Sequence, residues 1–522
     1  MTVMVTGDQL TIEQVEQVAK HNARVELAPE CADKIEASRK LVLKLIDEDA
    51  AIYGVTTGIG ELARIRINER QCEELQRRII YSHCASAGDV QPVAVVRAGM
   101  LCRLNVLAKG YSGVRRKLVD AFVDMLNKGV TPVVYEKGSV GTSGDLSPLS
   151  MMALAMLGEG EAFYQGERLP GGEALQRAGI EPVIPTAKEG LGMINGTQMM
   201  SGESCLHLCE TTRLYRNALI AYAMALDALK AVEMPYDALV HSVRPYPGAQ
   251  ATAAALRQLW VDSEIIADRS GKVQDGYSMR CTPQVMGASI DAFFFARKQL
   301  ETEVNSAIDN PLFFSAEQRY FGAGNFHGQP VAMAMDFMAI ATAEVASLAE
   351  RHTNRLLNPV LSGLPDFLIE GKGLNSGLMV AQYTQAALGS ENRVLSHPAV
   401  VDNVSVSADQ EDHVNMGPVA VRKYKEILKN TWTVLAIEVY AAAQAMDFRA
   451  RGRTRDERNG KCLKPGKGTG AAYEVVRQYV PYMEDDRAMV YDIEKITDLL
   501  RTGEVLQAVE SAVGEIKLNY EA

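Results

Sequence analysis

Apolar residues recur at helical spacing along most of the chain. Residues 1–10 read as a short strand and turn. Thr11, with Gln14 three residues on, makes a capping-box signature ahead of an amphipathic helix. A second helical pattern covers about 32–47, and a third runs over 68–87, ending in SHCASAG. The stretch LSMMALAMLG, 149–158, is apolar on every side and predicts a buried helix. Residues 159–190 are turn-rich with short extended pieces. Long apolar helices follow: from Asn195 to about 232, from 284 to about 307 with a stop at Asn310-Pro311, from 324 to about 357, and over 419–447. A helical tail completes a chain of mainly α class.

Composition agrees with that class. Of 522 residues, 47% are hydrophobic and only 6% aromatic, so the core is built from Ala, Leu, Val, Ile and Met, the material of closely packed helices. No linker marks a boundary; the pattern divides into 1–200, 201–450 and 451–522. A formal charge of -11 without a sustained basic patch argues against nucleic acid as a partner. No apolar run reaches about 18 uncharged residues, and the first residues, MTVMVTGDQ, lack a signal-type basic region and apolar core, so no membrane association and a cytoplasmic location are expected. Eight scattered cysteines without a CxxC pair suit reduced thiols. The run Cys205-Leu-His207-Leu-Cys209 cannot easily gather its three side chains on one helix face, so it reads as core packing, and no metal is expected. The sequons at Asn195 and Asn403 carry no weight without secretion. Gly466-Lys-Gly-Thr469 lacks phosphate-loop spacing and reads as a surface connection.

The chain is organised around residues 136–150, EKGSVGTSGDLSPLS. Taken alone, this is a tight glycine turn followed by a helix with Ser147 as N-cap and Pro148 at N1. The apolar helix behind it places a polar turn inside the protein, where loops seldom go. Thr142-Ser143-Gly144 gives such a turn a use. The Gly144 nitrogen has little steric cover and can be bent onto the Thr142 carbonyl carbon. Loss of two waters, one from Ser143, leaves a five-membered ring with an exocyclic methylidene. That ring is an electrophile, which no ordinary side chain supplies.

The segment resembles the prosthetic-group loop of the histidine and aromatic amino acid ammonia-lyases and the related 2,3-aminomutases, whose Ala-Ser-Gly forms 4-methylideneimidazole-5-one (MIO). Thr142 stands where most members carry Ala, and is similar to some bacterial aminomutase-like members. YGVTTGIGEL, 53–62, matches the family's YGxxTGxG segment with Tyr53, Gly54, Thr57, Gly58 and Gly60 in register. The resemblance implies a lid hinged around Gly58 and Gly60, with Tyr53 as the base. It places His83 near the substrate ring, and Asn195, in GLGMINGTQMM, over the prosthetic ring and the substrate amine. In VQDGYSMRCTPQVMG, 273–287, Gln274, Tyr277 and Arg280 are spaced by three and share a side if the turn is helical. An arginine fork suits a carboxylate, and by resemblance Arg280 holds that of the substrate while Tyr277 polarises the site. Phe326 lines the pocket by the same analogy; His327 reads as structural. SGLPDFL and GLNSGLMVAQYTQAAL, 373–388, are further family segments.

VSADQEDHVNMG, 406–417, carries Glu411, Asp412 and His413 in a row, ordinarily a solvated face. The phenylalanine and tyrosine enzymes usually have Gln where this chain has Glu411, and QEDHV resembles the histidine ammonia-lyases. An imidazole N–H has a use for a carboxylate acceptor, whereas a phenyl ring strands it. The resemblance therefore implies elimination of ammonia from L-histidine to urocanate. A histidine 2,3-aminomutase making β-histidine is the alternative, kept by Thr142. A tyrosine or phenylalanine lyase or aminomutase comes third, and an inactive helical scaffold is the reading from another class. The fold implied is a long antiparallel central helical bundle with a smaller mixed α/β N-terminal part, as in the ammonia-lyase and fumarase folds. The assembly implied is a homotetramer whose sites combine three subunits.

Overall fold

The computed structural model describes residues 1–268, 272–456 and 459–519. It is mainly helical, with strands only in small two- and three-stranded sheets. Two compact units are formed: 1–209 with 296–336 and 398–422, and 210–295 with 337–397 and 423–522. The N-terminal part thus runs past residue 200 and takes in two segments from much later in the sequence.

In the first unit the expected strand Thr2–Val5 pairs in parallel with Arg24–Leu27 across the helix Ile12–His21. Thr11 caps that helix through a complete capping box with Gln14. The second helix, Pro29–Asp47, starts earlier than its apolar pattern because Pro29 sets the first-turn φ. Val93–Ala108 is buried almost throughout and carries Arg103 and Asn105 into the interior, where each meets carbonyl or amide groups. Residues 159–190 resolve into the hairpin Glu161–Tyr164 and Glu167–Pro170, paired to Thr131–Pro132, followed by short helices. The central turn leads into the helix Leu146–Met156, buried as its composition requires. Its N-cap is Asp145, not Ser147, and Pro148 is the third helical residue. Ser147 instead bonds across to the backbone N–H of Ala85 at 3.1 Å and to the Ser86 hydroxyl at 2.8 Å.

The second unit is made of helical segments. Residues 434–446 are buried on all sides, and alanines at 436, 441, 442, 443 and 445 permit close approach of neighbouring helices. Some polar groups inside it pair with each other: Tyr215 with Thr342 at 3.0 Å, Trp432 with Glu210 at 2.9 Å. The tail folds as Lys467–Tyr479, Val490–Thr502 and Glu504–Val513. Gly466-Lys-Gly-Thr469 opens the first of these, and the buried Asp227 carboxylate fills its N-terminus by accepting from the Gly466 N–H at 3.0 Å and the Thr469 hydroxyl at 2.5 Å. A carboxylate of the chain itself occupies the place a phosphate would take.

Among the described residues one helix, Gln329–Leu357, is long and apolar enough to cross a membrane by length and composition. It carries Asp336 and Glu344, and 67% of its most apolar window is buried within the protein, which marks a core helix. Among the described residues no His, Cys, Asp and Glu group could hold a metal ion. No disulfide joins the eight cysteines among the described residues.

Candidate active site

The central turn is held before any chemistry takes place. Ser143 sits at φ 48° and Gly144 at φ 80°, the left-handed region where glycine alone is comfortable. A Cβ on Gly144 would lie 2.0 Å from the Gly196 carbonyl oxygen. That closeness comes from a short parallel bridge: Gly196 N–H donates to the Ser143 carbonyl at 2.9 Å, and Asp145 N–H donates to the Gly196 carbonyl at 2.7 Å. Asn415 clamps the turn from its other side, donating to the Gly141 carbonyl at 2.8 Å. Within the turn the Gly144 N–H makes a longer bond, 3.3 Å, to the Gly141 carbonyl. The side chain of Asp145 is buried and accepts from the Met200 N–H at 2.8 Å, capping the helix Gln198–Ala228. Burial pushes its carboxyl up to about 7, against the lowering effect of the Met200 and Met199 N–H groups.

Thr142 and Ser143 line a cavity of about 770 Å³ together with Tyr53, Gly60, Phe326, His327 and Glu411. A narrower recess of about 210 Å³ joins Tyr53, Ser143 and Glu411 to His83 and Asn195. The structure therefore brings together the phenol, imidazole, amide, carboxylate and glycine turn that lie up to several hundred residues apart in sequence. Tyr53 is half-buried, its hydroxyl accepting from the Gly60 N–H at 2.9 Å. Burial pushes the phenol above its ordinary value; the Gly60 N–H opposes this and the Glu411 charge adds to it. The first half of the lid segment is buried and tied down: Thr56 bonds the backbone at residues 50 and 52, and Gln76 donates to the Gly54 carbonyl at 2.9 Å. Residues Gly60–Arg64 form a short 3-10 turn with Leu62 exposed.

His83 is oriented by its backbone. Its Nδ1 lies 2.8 Å from the Ile79 carbonyl, which can only accept, so Nδ1 carries a proton, and the Ser82 hydroxyl lies 3.0 Å from the same atom. Asn195 is buried with its Nδ2 donating to Asp309 at 3.2 Å and to the Asn310 carbonyl at 3.0 Å, which leaves its Oδ1 as acceptor for the recess. Asp309 is in turn gripped by Lys188, 3.0 Å from both oxygens. Sequence reasoning missed Asp309 and Lys188, because Asp309-Asn310-Pro311 carried only a helix-stop signal. It also read His327 as structural; the structure places it in the cavity wall, its Nε2 3.3 Å from the His413 carbonyl.

Gln274, Tyr277 and Arg280 belong to the second unit. Only Tyr277–Arg280 is helical, a single turn, so Gln274 does not share a helix face with them. It meets Arg280 regardless: with its amide oxygen assigned towards the guanidinium, it accepts from Nη2 at 3.1 Å and from Nη1. The guanidinium lies 4.7 Å from the centroid of the Tyr277 ring, and Tyr277 is 74% exposed. Gln274 and Arg280 line a cavity of about 570 Å³ with Val232, Met234 and Gln284.

Solved structures of the same helical architecture place the chain in the ammonia-lyase and aminomutase fold. The tyrosine aminomutase of Streptomyces globisporus superposes with a TM-score of 0.92 at 38% identity, over 99% of this chain and 100% of that one. Histidine ammonia-lyase of Trypanosoma cruzi gives 0.89 at 36% identity, over 100% and 98%. The sequence pattern of the aromatic amino acid lyases matches residues 10–478. The histidine ammonia-lyase of Myxococcus xanthus is 48% identical over 512 residues, 98% of this chain and 99% of that protein. The chain belongs to the aromatic amino acid lyase family.

The residues present fit an MIO ring. Gly144 occupies a conformation and a space that admit no side chain, its N–H is committed only within its own turn, and residues 142 and 143 face the cavity.

Proposed function

We propose that this chain eliminates ammonia from L-histidine to give urocanate, using MIO formed from Thr142, Ser143 and Gly144. The observation that carries this reading is Glu411 lining the same recess as Tyr53, Ser143 and His83, a carboxylate acceptor suited to an imidazole N–H. Relatives of near full length called histidine ammonia-lyase support it. MIO supplies an electrophilic carbon for the substrate amine, making it a better leaving group. Tyr53 takes the β-proton. Its resting phenol is neutral, since burial and Glu411 both disfavour the phenolate, so the Gly60 N–H and the bound substrate's ammonium must favour the charged form. Asn195 orients the amine through Oδ1, fixed by Asp309. The N-terminus of Leu146–Met156 points its positive end at the turn, where negative charge develops.

Arg280 holds the substrate carboxylate, with Tyr277 beside it and Gln274 orienting the fork. Among the described residues lining the cavity the one guanidinium, Arg64, is already paired with Glu61 at 2.7 Å, so the carboxylate needs another cation. The exposure of Tyr277 supports a homotetramer in which other copies deliver this turn. Eight cysteines, none joined by a disulfide among the described residues, favour a reducing, cytoplasmic setting.

A second reading, histidine 2,3-aminomutase, is favoured by Thr142 and by the likeness to an aminomutase structure. Incubation with L-histidine, L-tyrosine and L-phenylalanine, resolving acrylates from β-amino acids, tests all readings. Urocanate with ammonia supports the proposal and β-histidine the second reading. Turnover of tyrosine or phenylalanine but not histidine refutes both, and no product from any substrate leaves a scaffold.

A further inference from the structure

The turn that carries Tyr277 and Arg280 is too short to hold itself. A four-residue helix makes few bonds of its own: the Cys281 N–H serves the Tyr277 and Met279 carbonyls, and side chains supply further donors. The Met279 carbonyl accepts from the Tyr236 hydroxyl at 2.7 Å. The Ser278 carbonyl accepts from the Thr282 hydroxyl at 2.9 Å and from His352 Nε2 at 2.7 Å. His352 is fully buried, and its Nδ1 lies 2.7 Å from Glu438 Oε1, also fully buried. The second Glu438 oxygen, Oε2, has no hydrogen-bond partner among the described residues. These residues all belong to the second unit.

We propose that the His352–Glu438 pair is the positioning device for Arg280: one proton shared between Nδ1 and the carboxyl keeps Nε2–H donating to Ser278, and its loss releases the turn. The inference rests on the reading of Arg280 as the holder of the substrate carboxylate. Proton balance gives the logic. A carbonyl only accepts, so the seat requires a proton on Nε2. While the pair keeps its second proton, either as imidazolium with carboxylate or as imidazole with carboxylic acid, Nε2 stays protonated. When that proton leaves to solvent, the remaining imidazole proton is drawn to Nδ1 by the buried carboxylate, a charge-assisted bond stronger than one to a neutral carbonyl. Nε2 then turns a lone pair on the Ser278 oxygen, which keeps only Thr282.

Among the described residues, burial and His352 are what act on the Glu438 carboxyl. Tyr222 packs edge-on against His352, centroids 5.0 Å apart; its hydroxyl donates to the Val345 carbonyl at 2.7 Å and burial holds it protonated. Thr282 does not ionise. Glu344 acts on Tyr222 from an exposed position, and Arg355, one turn beyond His352, packs against Gly276. Burial pushes the Glu438 carboxyl up to about 7, which puts proton sharing near neutrality.

The test follows KM and kcat for L-histidine from pH 6 to 10 in the intact enzyme, with its assembly size checked at each pH. The wild type is expected to show a rise in KM of about fivefold towards alkaline pH, the scale of one lost hydrogen bond, beyond whatever the substrate's own amine contributes. In Glu438→Gln the amide donates to Nδ1 and cannot ionise, so this extra rise disappears while kcat follows the wild-type profile. His352→Gln, which keeps an N–H for Ser278 without a titrating proton, gives the same flattening and serves if Glu438→Gln does not fold. Retention of the wild-type KM profile in the folded variant overturns the proposal. Arg280→Met separates the two ideas: unchanged KM refutes Arg280 as the carboxylate holder, whereas raised KM with a retained profile in Glu438→Gln refutes the positioning pair alone.

Discussion

Replacing Gly144 by alanine tests the central turn most directly. The added Cβ would lie 2.0 Å from the Gly196 oxygen and 2.1 Å from its carbonyl carbon, both backbone atoms that cannot swing aside. Holding alanine at φ 80° costs about 1 kcal/mol. Parting the two strands of the bridge loses the Gly196–Ser143 and Asp145–Gly196 bonds, each about 1 kcal/mol. Together the closed turn loses about 3 kcal/mol, so its population falls by about two orders of magnitude. Ring closure joins the residue 144 nitrogen to the Thr142 carbonyl carbon, so it requires the closed turn. Intact mass spectrometry reads the outcome: the wild-type chain is lighter than its encoded mass by two waters, whereas Gly144→Ala keeps the encoded mass and loses turnover. A Gly144→Ala chain that still sheds two waters, or that turns over histidine unmodified, refutes the argument.

Tyr53→Phe is expected to lower kcat by at least about a hundredfold while shifting stability by no more than about 1 kcal/mol, since the hydroxyl accepts a single bond from Gly60; kinetics and denaturant midpoints check this. Glu411→Gln removes the charged acceptor from the recess and should cut kcat/KM for histidine by about tenfold or more, with a smaller loss or a gain for tyrosine; an unchanged ratio between the two substrates contradicts the assignment. Asp145→Asn addresses stability against pH. The buried carboxyl titrates at about 7 in the folded chain and near 3.8 otherwise, so its contribution is complete below the lower value and is lost as pH rises through the upper one. The neutral amide escapes this loss, so between pH 4 and 8 the variant should gain on the wild type by up to about 4 kcal/mol in urea unfolding. Parallel pH profiles would count against it.

Local signals in the sequence located most helices and their order, because helical periodicity and a cap such as Thr11 act within a few residues. Starts were less legible. Pro29 and Gly417 extend helices beyond their apolar patterns, and Asp145 rather than Ser147 opens the helix after the turn, because Ser147 is drawn away by Ala85 and Ser86. Tyr53, His83, Ser143, Asn195, Phe326 and Glu411 were singled out from motifs, and the chain gathers them around one cavity and its recess. What the residues alone hid was their support. Asp309, Lys188 and Asn415 act through bonds spanning more than a hundred residues, and His352 with Glu438 lie in stretches that read only as apolar helix. Such groups leave no spacing signal, since their meaning lies in a partner the chain order does not reveal.

The interleaved make-up of the first unit bears on how the protein is made. Its cavity wall draws on residues 322–327 and 410–413, and Asn415 grips the glycine turn from a position near the end of that series. During synthesis the first 209 residues emerge long before the chain that completes them, at about 5–20 residues per second. A nascent chain halted before residue 398 therefore exposes an unfinished hollow to the cell. Only after the 415 region clears the ribosome are all the grips on the turn in place, so early termination should yield material for chaperones and proteases rather than a smaller working enzyme.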